Sequence, residues 1–297
     1  MKDAYFKFIS GVKEHESPTV LEECRQQIRQ DLDDGLSEVN NTVSESEALN
    51  MAVDHNHEDY VDFFLARSPV EAMRTAGFSC SHLARAVESD RPHLIRKLLR
   101  HTLRLEPAEK RLGVKLAKDC FKSKKTSQSM MKYLNKPSGC MVFGPSKTAL
   151  HIACEMGRAR CLDELLRHGA VPSPKDSDGL TPMDHTLRRL CTDTKGTSPS
   201  DTALALKKLI PYLPVVQASD DVSGLVQKTA QREEAPAEIR EVLRWILEEM
   251  RTPRSLQQIC LHQIRSVIGQ SGVHPIPYGV TQLPLPTTIK QYLSSAV

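Results

Sequence analysis

The apolar positions of the chain fall into short stripes at helical spacing, and the stripes come in pairs. Ala48-Leu49-Asn50-Met51-Ala52-Val53 is followed by Tyr60-Val61-Asp62-Phe63-Phe64-Leu65, and His82-Leu83-Ala84-Arg85-Ala86-Val87 by Leu94-Ile95-Arg96-Lys97-Leu98-Leu99. Leu49 and Leu83 stand 34 residues apart. The clearest pair runs from Thr148 through Cys154 and then from Cys161 to Leu166, and 33 residues after Thr148 the pattern restarts at Thr181. Leu187 and Leu190 continue that last stripe, the stretch from Cys191 to Asp201 is loop-like, and Ala203 to Ile210 supplies the second helix. Repetition at this period predicts an all-α solenoid of four or five stacked helical hairpins. From Leu83 to Leu150 the distance is 67 residues, about two periods, yet Arg111 to Ser146 shows no clean copy. Its Lys122-Ser123-Lys124-Lys125-Thr126-Ser127 reads as a solvated insertion, with a degenerate repeat beside it left open. The expected boundaries are an N-terminal helical cap at 1–45, degenerate repeats at 46–215 with an insertion near 111–146, a helical linker at 216–252 and a distinct region at 253–297.

Residue types in the clearest unit have mechanical reasons. Thr148 is placed to cap the first helix, and Ala153 keeps that helix thin so that the next unit stacks closely. Gly157 lets the chain reverse between helices, and Gly169 ends the second helix with a positive φ. Leu150, Leu162, Leu165 and Leu166 supply the stacked core. Thr148-Ala149-Leu150-His151-Ile152-Ala153 with Asp178-Gly179-Leu180-Thr181-Pro182 resembles the ankyrin repeat, which implies a turn followed by two antiparallel helices and a protein-binding surface.

The tail has a different character. Leu256, Ile259, Cys260, Ile264, Val267 and Ile268 form one helical stripe after Pro253 and Ser255, and Gly269 and Gly272 stop it. Leu283-Pro284-Leu285-Pro286 then reads as a rigid extended segment, followed by a short helix that groups Ile289, Tyr292 and Leu293. Together the two parts, a helix over 255–268 and a second element over 283–293, resemble the SOCS box. The resemblance implies that Ser255, Leu256, Cys260 and Ile264 bind elongin C, which pairs with elongin B. It also implies that Leu283, Pro284, Leu285, Pro286, Ile289, Tyr292 and Leu293 bind a cullin, the Leu-Pro-Leu-Pro form pointing to cullin-5 with its RING protein. Leu256 at the start of the helix is placed to enter an apolar pocket, with Cys260 and Ile264 on the same face. The two prolines pre-set an extended backbone and so lower the ordering cost of docking.

Composition narrows the remaining choices. The 297 residues carry 40 Lys+Arg against 37 Asp+Glu, too balanced to imply nucleic acid or an acidic membrane as the main partner. Aromatics are only 5%, which argues against base-stacking platforms. No apolar run approaches the ~20 residues of a membrane span, and no apolar block follows Met1 as a signal peptide would. The eight cysteines are scattered without close pairs, so neither a zinc site nor a disulfide framework is expected, and a reducing, cytoplasmic setting is. His151 belongs to the repeat's turn, and His55, His57 and His101 lack partners at metal-ligand spacing. With no phosphate loop, nucleophile elbow or zinc motif, neither catalysis nor a cofactor is expected.

The order of features along nearly the whole chain, including Ser46-Glu47-Ala48-Leu49, Ala76-Gly77-Phe78-Ser79-Cys80 and Pro107-Ala108-Glu109, is further similar to one branch of the ankyrin repeat domain-containing proteins. That likeness implies a substrate receptor of an elongin–cullin-RING ubiquitin ligase, with inosine-monophosphate dehydrogenase as a substrate associated with relatives. The competing expectation is an ankyrin scaffold or inhibitor whose tail only caps the solenoid, since solenoids need a polar-faced terminal unit.

Overall fold

The computed structural model describes residues 2–33, 45–67, 81–100, 133–139, 144, 146–192, 199–271, 280 and 283–295. Among them the chain is helical and strand-free, with a single isolated bridge between Pro137 and Thr148. Helices α1 (Lys2–Glu14) and α2 (Pro18–Asp33) form a first hairpin. Five more follow: α3 (Glu45–Asp54) with α4 (Glu58–Arg67), α5 (His82–Glu88) with α6 (92–100), α7 (Ala149–Glu155) with α8 (Ala159–Arg167), α9 (Pro182–Thr192) with α10 (Pro199–Leu209), and α11 (Asp220–Gln231) with α12 (Ala237–Arg251). The first helices of these hairpins pack on one another in the order α1, α3, α5, α7, α9, α11. The second helices form an outer layer in which α10 lies between α8 and α12. Helix α13 (Leu256–Ser271) and helix α14 (Thr287–Ser295) complete the described chain.

The stack is continuous across the 67-residue gap. Helix α5 packs directly on α7, Lys97 of α6 pairs with Glu58 (3.0 Å) and Asp62 (2.6 Å) of α4, and Arg96 of α6 pairs with Glu164 of α8. No further hairpin fits between them. The Ser81 amide donates to the Ser138 carbonyl and the Ser138 amide to the Lys147 carbonyl, so the chain re-enters the stack beside the point where α5 starts. Lys122–Ser127 of the insertion, Ala76–Cys80 and Pro107–Glu109 lie outside the described residues. The stretch expected to be a linker forms the hairpin α11–α12, which packs on α9 and α10 through Val222, Val226, Ile239, Leu243 and Ile246.

Weak repeats fold like the clear one because they keep its turn. Gly157 has φ +68°, and Asn56 (φ +61°) and Asp90 (φ +51°) take the same place, seven residues after the buried leucine of their own repeats. In all three the following amide bonds back into the first helix: His57 to Ala52, Arg91 to Ala86 and Arg158 to Ala153. Asn and Asp are the residues that tolerate this left-handed turn most readily after Gly.

Helix starts are likewise equivalent. The Thr148 amide donates to His151 Nδ1 (3.1 Å), and His151 Nε2 donates to the Leu180 carbonyl of the next unit (3.3 Å). One repeat later Asp184 does the same work with two oxygens. Its Oδ2 accepts from the Thr181 amide (2.9 Å), and its Oδ1 accepts from the Ser219 amide of the following hairpin (2.8 Å). Each start therefore also staples a repeat to its neighbour.

His82, fully buried at the start of α5, contributes a pH dependence. Its Nε2 lies 3.1 Å from both the hydroxyl and the carbonyl of Ser46, and among the described residues its Nδ1 has no partner. Burial lowers its pKa to about 4, against a smaller opposing pull from the Ser46 carbonyl. The unfolded histidine titrates near 6.5, so its contribution is intact above that pH and is lost as pH falls toward 4. Urea melts should show stability dropping across this window by on the order of 3 kcal/mol from this residue. In His82→Gln the dependence should flatten.

Candidate functional site

The tail is built so that one face of α13 holds to the stack and the other faces outward. The helix begins with a capping box: the Ser255 amide donates to Gln258 Oε1 (3.0 Å) and the Gln258 amide donates to Ser255 Oγ (3.3 Å). The hydroxyl residue at this point thus pre-forms the first turn. On the inward face Leu261 is 5% exposed, Arg265 is 7% exposed, and Ile264 is half-buried against the core. On the outward face Leu256 is 76% exposed, Val267 64% and Ile259 45%, and Cys260 is exposed as well. A leucine held at the first turn of a capped helix with three quarters of its surface in water is an unpartnered apolar anchor.

The second part is more enclosed. Leu283 and Leu285 are half-buried against the core, whereas Pro284 and Pro286 are exposed. In α14 Ile289 is exposed, Leu293 is buried, and the side chain of Tyr292 lies outside the described residues. The structure therefore brings Ser255, Leu256 and Cys260 to the surface, and with them Pro284, Pro286 and Ile289. Ile264, Leu283 and Leu285 are shared between surface and interior, and Leu293 belongs to the interior.

Both the tail and the clearest repeat fall within segments that match known families. The SOCS box family matches residues 252–294, and the ankyrin repeat family matches residues 147–177. The chain carries an ankyrin repeat and a SOCS box. Over 157 residues it is 35% identical to ankyrin repeat domain-containing protein 9 of Mus musculus, covering 50% of this chain and 42% of that protein. Over 79 residues it is 43% identical to regulatory protein NPR6 of Arabidopsis thaliana, covering 26% of this chain and 17% of the relative. Over 89 residues it is 42% identical to BTB/POZ domain and ankyrin repeat-containing protein NBCL of Lotus japonicus, covering 29% and 17%. The aligned part spans less than half the length of these curated relatives, and the likeness expected along nearly the whole chain extends in the first of them over half of it.

The ankyrin repeat and the SOCS box are adaptor modules that carry no catalytic groups. In the ankyrin stack burial pushes the Cys154 thiol up to about 12 and the Cys161 thiol further still. Among the described residues no three His, Cys, Asp or Glu side chains gather as a metal site would require, and no helix is long and apolar enough to cross a membrane.

Residues outside the expected binding set also mark the SOCS box. Ile259 and Val267 extend its exposed stripe. Arg254 and Arg265 reach from it into the ankyrin stack. The stripe was legible in the spacing; the arginines were not, because their partners are carbonyls at distant positions.

Proposed function

We propose that this chain is a non-catalytic substrate receptor of an elongin B/C–cullin-5 RING ubiquitin ligase. The ankyrin stack binds a target protein and the SOCS box recruits the ligase, so that the target is ubiquitinated and degraded in the cytoplasm. The observation that carries the reading is the outward Leu256–Cys260 face on a pre-capped helix within the matched SOCS box. Elongin C takes the side chains of Leu256 and Cys260, with Ser255 holding the turn and Ile264 bordering the contact. The cullin meets the exposed Pro284, Pro286 and Ile289, with Leu283, Leu285, Tyr292 and Leu293 shaping that segment. Inosine-monophosphate dehydrogenase is the first substrate to assay, because the likeness of this chain to its branch of ankyrin proteins suggested it.

The capping alternative is disfavoured by where the box sits. An end cap covers the last hairpin alone, whereas Arg265 bonds to Leu166 of α8 and Arg254 bonds to Ile210 as well as pairing with Glu249 of α12. The two halves of the box separate in a pull-down. Pro284→Ala/Pro286→Ala frees the extended segment and should weaken cullin-5 capture roughly tenfold while elongin C binding is unchanged. Equal loss of both partners would count against two separate contacts, and capture of cullin-2 in place of cullin-5 would overturn the cullin assignment.

A further inference from the structure

Arg265 joins the SOCS box to two other parts of the molecule. Arg265 points inward from α13, 7% exposed, and its guanidinium serves three elements at once. Nη1 donates to the Leu293 carbonyl in the last turn of α14 (2.9 Å), and Nη2 donates to the Leu166 carbonyl in the last turn of α8 (3.2 Å). Its Cζ lies 4.6 Å from the centre of the Tyr212 ring, beyond the end of α10. The Leu166 carbonyl, which also accepts from the Gly169 amide (3.1 Å), lies in the last turn of its helix, where a cation meets the negative end of the helix dipole. Among the described residues no carboxylate pairs with Arg265. Its charge is held by carbonyl oxygens and a ring face, an arrangement that the planar fork of Arg satisfies and the single ammonium of Lys does not.

A second attachment lies at the other end of the helix. Arg254 Nη2 donates to the Ile210 carbonyl (2.6 Å), in the 3-10 turn Ile210–Tyr212 that ends α10, while Nη1 stands 3.7 Å from Glu249. Arg254 and Arg265 lie eleven residues apart along the chain and both reach the Ile210–Tyr212 turn, while Arg265 also reaches α8, so that α13 is held to the stack at more than one point.

We infer that Arg265 is a positioning residue that locks the SOCS box to the ankyrin stack, so that the elongin-binding face stands at one fixed orientation to whatever the stack carries. A receptor of this kind holds its target at a set place relative to the transferring machinery, which raises the effective concentration of a few target lysines over all others. The lock itself is independent of the ligase assignment; its use in presenting a target rests on the proposed function.

The test places spin labels, through unnatural amino acids, at the exposed positions Lys207 in α10 and Thr288 in α14 of the full chain. The label-to-label distance is measured with and without elongin B and elongin C. The unmodified chain should give one narrow distance. Arg265→Lys and Arg265→Met should both broaden it severalfold, and Tyr212→Leu partly, with elongin C affinity and the urea midpoint of the ankyrin stack unchanged. Should Arg265→Met not fold, Arg265→Lys gives the same readout with the charge retained. A distance as narrow in Arg265→Lys and Arg265→Met as in the unmodified chain overturns the lock. Loss of elongin C binding in Arg265→Met also overturns it, because the residue would then be shaping the elongin-binding helix itself. An unmodified chain that gives one narrow distance and no elongin binding supports the lock while sinking the ligase assignment.

Discussion

A chain carrying Leu256→Ala and Cys260→Ala should keep its ankyrin stack and lose elongin C. Leu256 is 76% exposed before any partner arrives, so truncating it removes almost no packing from the free chain. Its side chain is nevertheless worth about 1.5–3 kcal/mol when moved from water into an apolar pocket, and that stabilisation is absent in the variant. Affinity for elongin B/C, read by titration calorimetry, should fall at least about tenfold and, with the Cys260 contact also gone, on the order of a hundredfold. The urea midpoint of the free variant should match that of the unmodified chain. A variant that unfolds instead would mean that this face is internal packing, and unaltered affinity would place elongin elsewhere.

The converse substitution lies at Leu165 in α8. This residue is 0% exposed at the centre of the ankyrin stack, where the surrounding helices cannot collapse onto a void. Leu165→Ala should cost about 2–5 kcal/mol, seen as a large fall in the urea midpoint followed by circular dichroism. Because each hairpin of a solenoid leans only on its neighbours, the loss should break the stack at α8 and leave the flanking pairs to melt separately. Elongin affinity measured below the transition should be unchanged. The two substitutions thus dissociate, one removing a partner without loss of stability and the other removing stability without loss of the partner.

Much of this arrangement was legible in the chain because ankyrin hairpins are local. Thr148, Ala153, Gly157 and the leucines around them fall within one turn or one helix of each other, so their spacing states the fold directly. The weaker repeats were harder to read because Asn56 and Asp90 replace the glycine. Those two share with Gly the tolerance of a left-handed turn, and the structure shows all three in one place. Asp184 in place of the histidine at His151 is a similar exchange, in which two carboxylate oxygens replace two ring nitrogens. What spacing could not reveal depended on distance along the chain. A spacing of 67 residues is compatible with an extra repeat between the two units or with their direct stacking, and the contact of α5 with α7 decides for direct stacking. Arg265 meets Leu166 across 99 residues, and a lone arginine in an apolar stripe gives no sign of which carbonyls it will reach. The outward face of α13 was half-legible: an amphipathic stripe states that one side is apolar, while the burial of Leu261 and Arg265 shows that Leu256, Ile259 and Val267 face water.

The central claim is that the exposed apolar face of the SOCS box is a recruiting surface for the ligase. Isolating the tagged full-length chain from cells and quantifying what accompanies it tests that claim most directly. Elongin B, elongin C and cullin-5 should be recovered in amounts matching the chain. A well-folded chain recovered without elongins would contradict the account.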